Sequence, residues 1–124
     1  MVKIIFNLVT KPGMNLEFLQ SIGSIIIELR NVKGCIGTDF KQDHNDKDRF
    51  SLLLNGDNRK FIEKLLTSKE YNFLEGAIKV LCENPTVEVT IGNKTKHIDP
   101  DKKGDISIKK QILSELEHSL DIRD

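Results

Sequence analysis

Between Val2 and Ile91 the hydrophobic period switches back and forth between about two and about 3.6 residues, in the order strand, helix, strand, strand, helix, strand. Val2, Ile4, Phe6 and Leu8 alternate with Lys3, Ile5, Asn7 and Val9, and Lys11-Pro12-Gly13 closes that strand as a turn. From Asn15, apolar residues recur every third or fourth position. Leu16, Leu19, Ile22, Ile26 and Leu29 form one stripe, and Phe18 and Ile25 widen it. Gly23 within this helix implies close packing, and Gly34 marks its stop.

The next two strands, Cys35–Gln42 and Arg49–Asn55, flank the polar stretch Asp43-His44-Asn45-Asp46-Lys47-Asp48, a hairpin tip. It lacks the glycine and closing glutamate of a calcium-binding loop. Asp57 or Asn58 can cap a short helix with Phe61, Ile62, Leu65 and Leu66 inward. Ser68 can cap a second with Tyr71, Leu74, Ala77, Ile78 and Leu81 inward, and Asn84-Pro85 ends it. Thr86–Ile91 is the last strand. The order is that of an α+β βαββαβ sandwich, with both helical regions on one face of a four-stranded antiparallel sheet. The other sheet face, carrying Ile5 and Val9, has no cover within the chain, and a two-fold dimer would supply one.

Asn93 to Asp105 reads as a polar linker. Beyond it Ile108, Ile112, Leu116 and Leu120 repeat every fourth residue, with Leu113 beside them and Asp105 as a possible cap. The expected organisation is therefore a domain over 1–93, then a linker and an amphipathic C-terminal helix over 94–124.

Length and charge narrow the function classes. A chain of 124 residues makes one domain, and nineteen basic against nineteen acidic side chains offer no electrostatic pull toward nucleic acid or an anionic membrane. No secretory leader or spanning segment is legible, so a cytoplasmic protein is expected. Cys35 and Cys82 read as reduced fillers. His44, His97 and His118 read as surface residues of a hairpin tip, a linker and a polar helix face, and none has a ligand-spaced partner. No metal is expected.

Lys11-Pro12-Gly13, Gly34-Cys35, Gln42-Asp43, Asp48-Arg49-Phe50, Leu66-Thr67-Ser68 and Val87-Glu88-Val89, in that order and spacing, resemble the antibiotic biosynthesis monooxygenase (ABM) family of the dimeric α+β barrels. The resemblance covers about Val2 to Gly92. It implies a ferredoxin-like protomer that pairs with a second copy through its sheet and keeps an apolar pocket between sheet and helices. Family members include oxygenases that use neither metal nor flavin, haem degraders and many proteins of unknown role.

Departures from the family pattern matter as much. Where family enzymes carry a Trp ending the third strand, this chain reads Leu54-Asn55-Gly56, and it has no Trp at all. Glu70 stands in place of the His that serves the haem-degrading branch as axial ligand. Phe6 occupies the slot of that branch's Asn, which puts Asn7 on the opposite, dimer-facing side of the strand. Haem degradation is thereby rejected.

Cofactor-independent oxygenation needs less: a base, donors for a developing oxyanion, and a dry cavity. Glu70 as base and Tyr71 as orienting hydroxyl are the candidate catalytic residues, with Phe6, Phe50, Leu52, Leu54, Gly56 and Phe73 as the pocket. The resulting expectation is a cofactor-free monooxygenase acting on a small aromatic or quinol-like substrate. The alternatives are a non-catalytic dimeric module that binds an apolar ligand or a protein, and a structural dimer whose pocket is filled by its own side chains. A void or a filled space at Gly56 separates these.

Overall fold

Strand β1 (Val2–Thr10) is the middle of the sheet because its alternate residues Val2, Ile4, Phe6 and Leu8 are apolar and fully buried. The computed structural model describes residues 1–100 and 107–121, the side chains of 118–121 excepted. The order continues through α1 (Asn15–Leu29), β2 (Cys35–Gln42), β3 (Arg49–Gly56), α2 (Arg59–Leu66), α3 (Lys69–Leu81), β4 (Cys82–Ile91), β5 (Lys94–Ile98) and α4 (Ile108–Asp121). The α+β sandwich expected from the sequence is the fold observed.

All strand pairs are antiparallel, in the order β2-β3-β1-β4-β5. Registers Ile4↔Leu54, Phe6↔Leu52 and Leu8↔Phe50 put the apolar residues of β1 and β3 on one face. Ile4↔Val89 and Phe6↔Val87 add those of β4. The helices pack on this face, with α1 against α3, α3 over β4 and α2 over β1 and β3. Phe18, Phe40 and Phe50 form an aromatic group at the β2–β3 side, with Phe40 and Phe50 stacked at 5.5 Å.

The sheet has one strand more than expected. Lys94–Ile98, read from sequence as linker, pairs with β4 through Val87↔Ile98 and Val89↔Lys96. Gly92, at φ +60°, makes the two-residue reversal Gly92-Asn93 possible. Its polarity hid it: on an edge strand only Ile98 is buried, so no apolar alternation is required. His97 accordingly lies on a strand, with Nδ1 3.9 Å from Glu88 Oε2, and not in a linker.

The boundary between α3 and β4 also differs. The helix ends at Leu81, and Asn84-Pro85 lies inside the strand. Asn7 pairs with Thr86 and Val9 with Glu83, so Asn84 and Pro85 together oppose Leu8 in a β-bulge. Pro85 has no N–H to give to the ladder, and Asn84 takes φ +49°, which an Asn tolerates better than most residues.

The caps follow the sequence reading. Asn58 accepts from the Lys60 N–H and Ser68 from the Tyr71 N–H. The apolar stripe of α1 is narrower than expected: Phe18, Ile22, Ile26 and Leu29 are buried, whereas Leu16 is 69% exposed. Gly23 is not a close-packing site, since a Cβ there would meet open space.

Candidate functional site

Helix α3 divides the residues singled out in the sequence. Tyr71, Leu74, Glu75 and Ile78 follow one another at three- and four-residue steps and face the core. Phe73 stands about 200° around the helix from Tyr71, by the 3.6-residue turn. It is therefore no wall of an interior pocket and is 63% exposed. Glu70 lies beside it in an open hollow of about 380 Å³ between α1 and α3, with Ser24, Ile25 and Glu28. The structure thus brings Glu70 together with Phe73 on the outside, and leaves both away from the interior that Tyr71 enters.

Tyr71 is fully buried, its ring 6.4 Å from that of Phe6. Its hydroxyl donates to Glu75 Oε1 at 2.7 Å, a bond between neighbours one helical turn apart. The same Oε1 accepts from the backbone N–H of Lys109 at 2.9 Å, while Lys79 Nζ stands 3.8 Å from Oε2. Burial, the carboxylate charge of Glu75 and the bond to it all push the Tyr71 phenol far above its ordinary value of 10.0. It stays a protonated donor throughout the neutral range.

The sequence reading does not single out Glu75. Its signal was there: an acid four residues after Tyr71, in line with Leu74 and Ile78, on a helix face otherwise buried. A carboxylate in that position needs partners, and it has three of them.

Lys109 brings in α4. Its first turn is capped twice, by the Ser107 hydroxyl accepting from the Lys110 N–H and by Glu75 accepting from that of Lys109. Ile108, Ile112 and Leu116 are buried, as the four-residue repeat required, and the helix lies against β5. Arg59 of α2 donates to the Leu116 carbonyl at 2.6 Å, tying down the far part of α4. The cap suggested at Asp105 and the side chains of His118 and Leu120 lie outside the described residues.

Phe6, Phe50, Leu52 and Leu54 are buried in the core on the helix-covered face of the sheet. Gly56 is buried too, but the space above it is taken. A Cβ at residue 56 would overlap the Phe61 ring, so the space above Gly56 is filled from α2.

On the opposite sheet face Asn7 donates to Glu88 Oε2 at 3.5 Å, and Ile5 and Leu53 lie side by side, half-buried. Among the described residues no group of three or more His, Cys, Asp or Glu is arranged to hold a metal, and both cysteines are free thiols. No helix among them is long and apolar enough to cross a membrane.

This architecture is that of the ABM monooxygenase structures. One antibiotic biosynthesis monooxygenase superposes with a TM-score of 0.68 at 18% identity, over 76% of this chain and 100% of the other. A variant of SnoaB, a cofactor-independent oxygenase from Streptomyces nogalater, gives 0.66 at 9% identity, over 75% of this chain and 93% of its own. A conserved protein from Methanosarcina mazei Go1 gives 0.68 at 15%, over 75% and 92%. No protein-family model and no curated protein matches the sequence. At such identities the likeness is one of fold, and it agrees with the resemblance drawn from the six short motifs.

Proposed function

We propose that this chain is a cofactor-independent monooxygenase of the ABM type, acting on a small aromatic or quinol-like substrate at the Tyr71–Glu75 pair. The observation that carries this reading is the pair itself. A phenol and a carboxylate share a hydrogen bond in the layer between helices and sheet, beside the aromatic ring of Phe6. Buried titratable pairs of this kind mark sites of chemistry more often than surface acids do. Similarity of fold to SnoaB supports the reaction class.

The chemistry asks little of the protein. The Glu75 carboxylate takes the acidic proton of a bound hydroquinone or anthrone, and the Tyr71 hydroxyl donates to the oxyanion left behind. The substrate anion gives one electron to O₂, the resulting radical pair combines to a carbon peroxide anion, and the proton held by Glu75 returns to it, giving the hydroperoxide. Loss of water from the hydroperoxide leaves a carbonyl, so a CH₂ carbon and O₂ become C=O and H₂O. The substrate is the reductant and O₂ the oxidant. We place a homodimer around this site, formed through the open sheet face where Ile5 and Leu53 lie.

One observation favours a non-catalytic reading: Phe61 fills the space above Gly56, and Glu75 serves as a cap for α4. Oxygen uptake with a reduced naphthoquinol or anthrone decides between them. The oxygenase reading expects turnover that falls at least a hundredfold in Glu75→Gln and about tenfold in Tyr71→Phe, in the range for a lost base and a lost oxyanion donor. No turnover by the native protein would leave the non-catalytic reading standing.

A further inference from the structure

We infer that α4 is a displaceable lid that competes with ligand for the Tyr71–Glu75 pair, its backbone holding the carboxylate oxygen that a substrate hydroxyl would use. The inference rests on the reading of that pair as a ligand site, and its geometry is specific. Glu75 Oε1 accepts two donors, the Tyr71 hydroxyl at 2.7 Å and the Lys109 N–H at 2.9 Å. The second is an N–H from a remote part of the chain, in the place where a phenolic O–H would donate. Behind it the row Ile108, Ile112 and Leu116 presents an apolar surface to the interior, as the body of an aromatic ligand would.

Two further observations bear on how α4 is held. The whole of one ABM monooxygenase structure is covered by 76% of this chain, so about a quarter of this chain has no counterpart there. Glu75 holds α4 at one end and Arg59 holds the Leu116 carbonyl at the other, and between them the buried Gln111 amide donates to the Pro100 carbonyl at 3.4 Å. A helix of 14 residues has little stability away from its packing surface, so loss of these ties releases it as a unit. The ligand class that follows is an apolar ring carrying a hydroxyl donor.

The test uses the full-length chain with Arg59→Ala and, separately, Ile112→Lys. Hydrogen exchange over 107–117 and over β1 and β4 reports whether the helix leaves while the sheet holds. Binding of 1,4-dihydroxynaphthalene, kept anaerobic so that it is not consumed, is measured by calorimetry. The lid predicts at least tenfold faster exchange in α4, retained protection in the sheet, and at least fivefold tighter binding of the probe in both variants. Released α4 with unchanged probe affinity overturns it. Should Ile112→Lys lose protection throughout, Arg59→Ala decides alone, because it removes a bond to a carbonyl and leaves the core side chains in place. Oxygen uptake is read separately. Tighter binding without turnover upholds the lid and removes the oxygenase reading, whereas unchanged binding removes the lid whatever the turnover of the native protein.

Discussion

The ring of Phe61 lies where a side chain at Gly56 would have to stand. The two residues come from the end of β3 and the first turns of α2, and each makes the other's identity necessary. Gly56→Ala forces the ring or the strand to move, a cost of about 1–3 kcal/mol for overpacking. Phe61→Ala leaves a cavity, at about 3–5 kcal/mol. The double variant should be more stable than the sum of the single losses, because the new methyl enters the space the ring vacates. Urea unfolding of all four proteins gives the coupling; strict additivity would show that the two sites do not touch.

Tyr71 ties stability to alkaline pH. Its folded value is raised above the unfolded 10.0, so near and above pH 10 the unfolded chain releases a proton that the folded chain keeps. The unfolded state then binds fewer protons, and stability falls as pH rises, by about 1.4 kcal/mol per unit from this one group. Below pH 10 the contribution is fully present. Because Tyr71 is the one tyrosine and no Trp occurs, phenolate absorbance should appear only together with unfolding. The Tyr71→Phe protein should lack this part of the slope; equal slopes in the two proteins would contradict the assignment.

Asn84 sits in the left-handed region at φ +49°, within the bulge opposite Leu8. Replacement by Val places a β-branched side chain there and should cost about 1–2 kcal/mol. Replacement by Gly should change stability by no more than about 0.5 kcal/mol, since Gly adopts that region freely. Thermal unfolding of the two variants measures the difference, and similar losses would argue against a backbone cause.

The open sheet face bears on assembly. If two copies pair there, Leu53→Lys should give a particle of 14.1 kDa in sedimentation where the native chain gives twice that mass. The melting temperature of the separated protomer should fall, because a stable interface adds to apparent stability. A native chain that sediments as a single copy at micromolar concentration would remove the pairing.

What was legible in the sequence was set by apolar pattern. Val2 to Leu8 and Phe50 to Leu54 alternate because one face is buried and the other is not, so strands and register faces followed, including the placement of Asn7 on the open side. β5 escaped because an edge strand with one buried residue carries no period. The end of α3 is not legible because Pro85 marks a helix stop in sequence, whereas a bulge holds it inside a strand. The sequence reading pairs Glu70 with Tyr71 as candidates, whereas the residue hydrogen-bonded to the Tyr71 hydroxyl is Glu75, one turn on. Adjacency in sequence places two side chains about 100° apart on a helix, whereas four residues bring them together.

The added strand β5 has a consequence for how the sheet can grow. It is five residues long and carries Lys94 and Lys96, while at the far border β2 is interrupted by a bulge at Ile36, between Cys35 and Gly37. Short, lysine-bearing or kinked borders are poor templates for a further chain. Neither rim therefore invites strand-by-strand, fibre-like stacking.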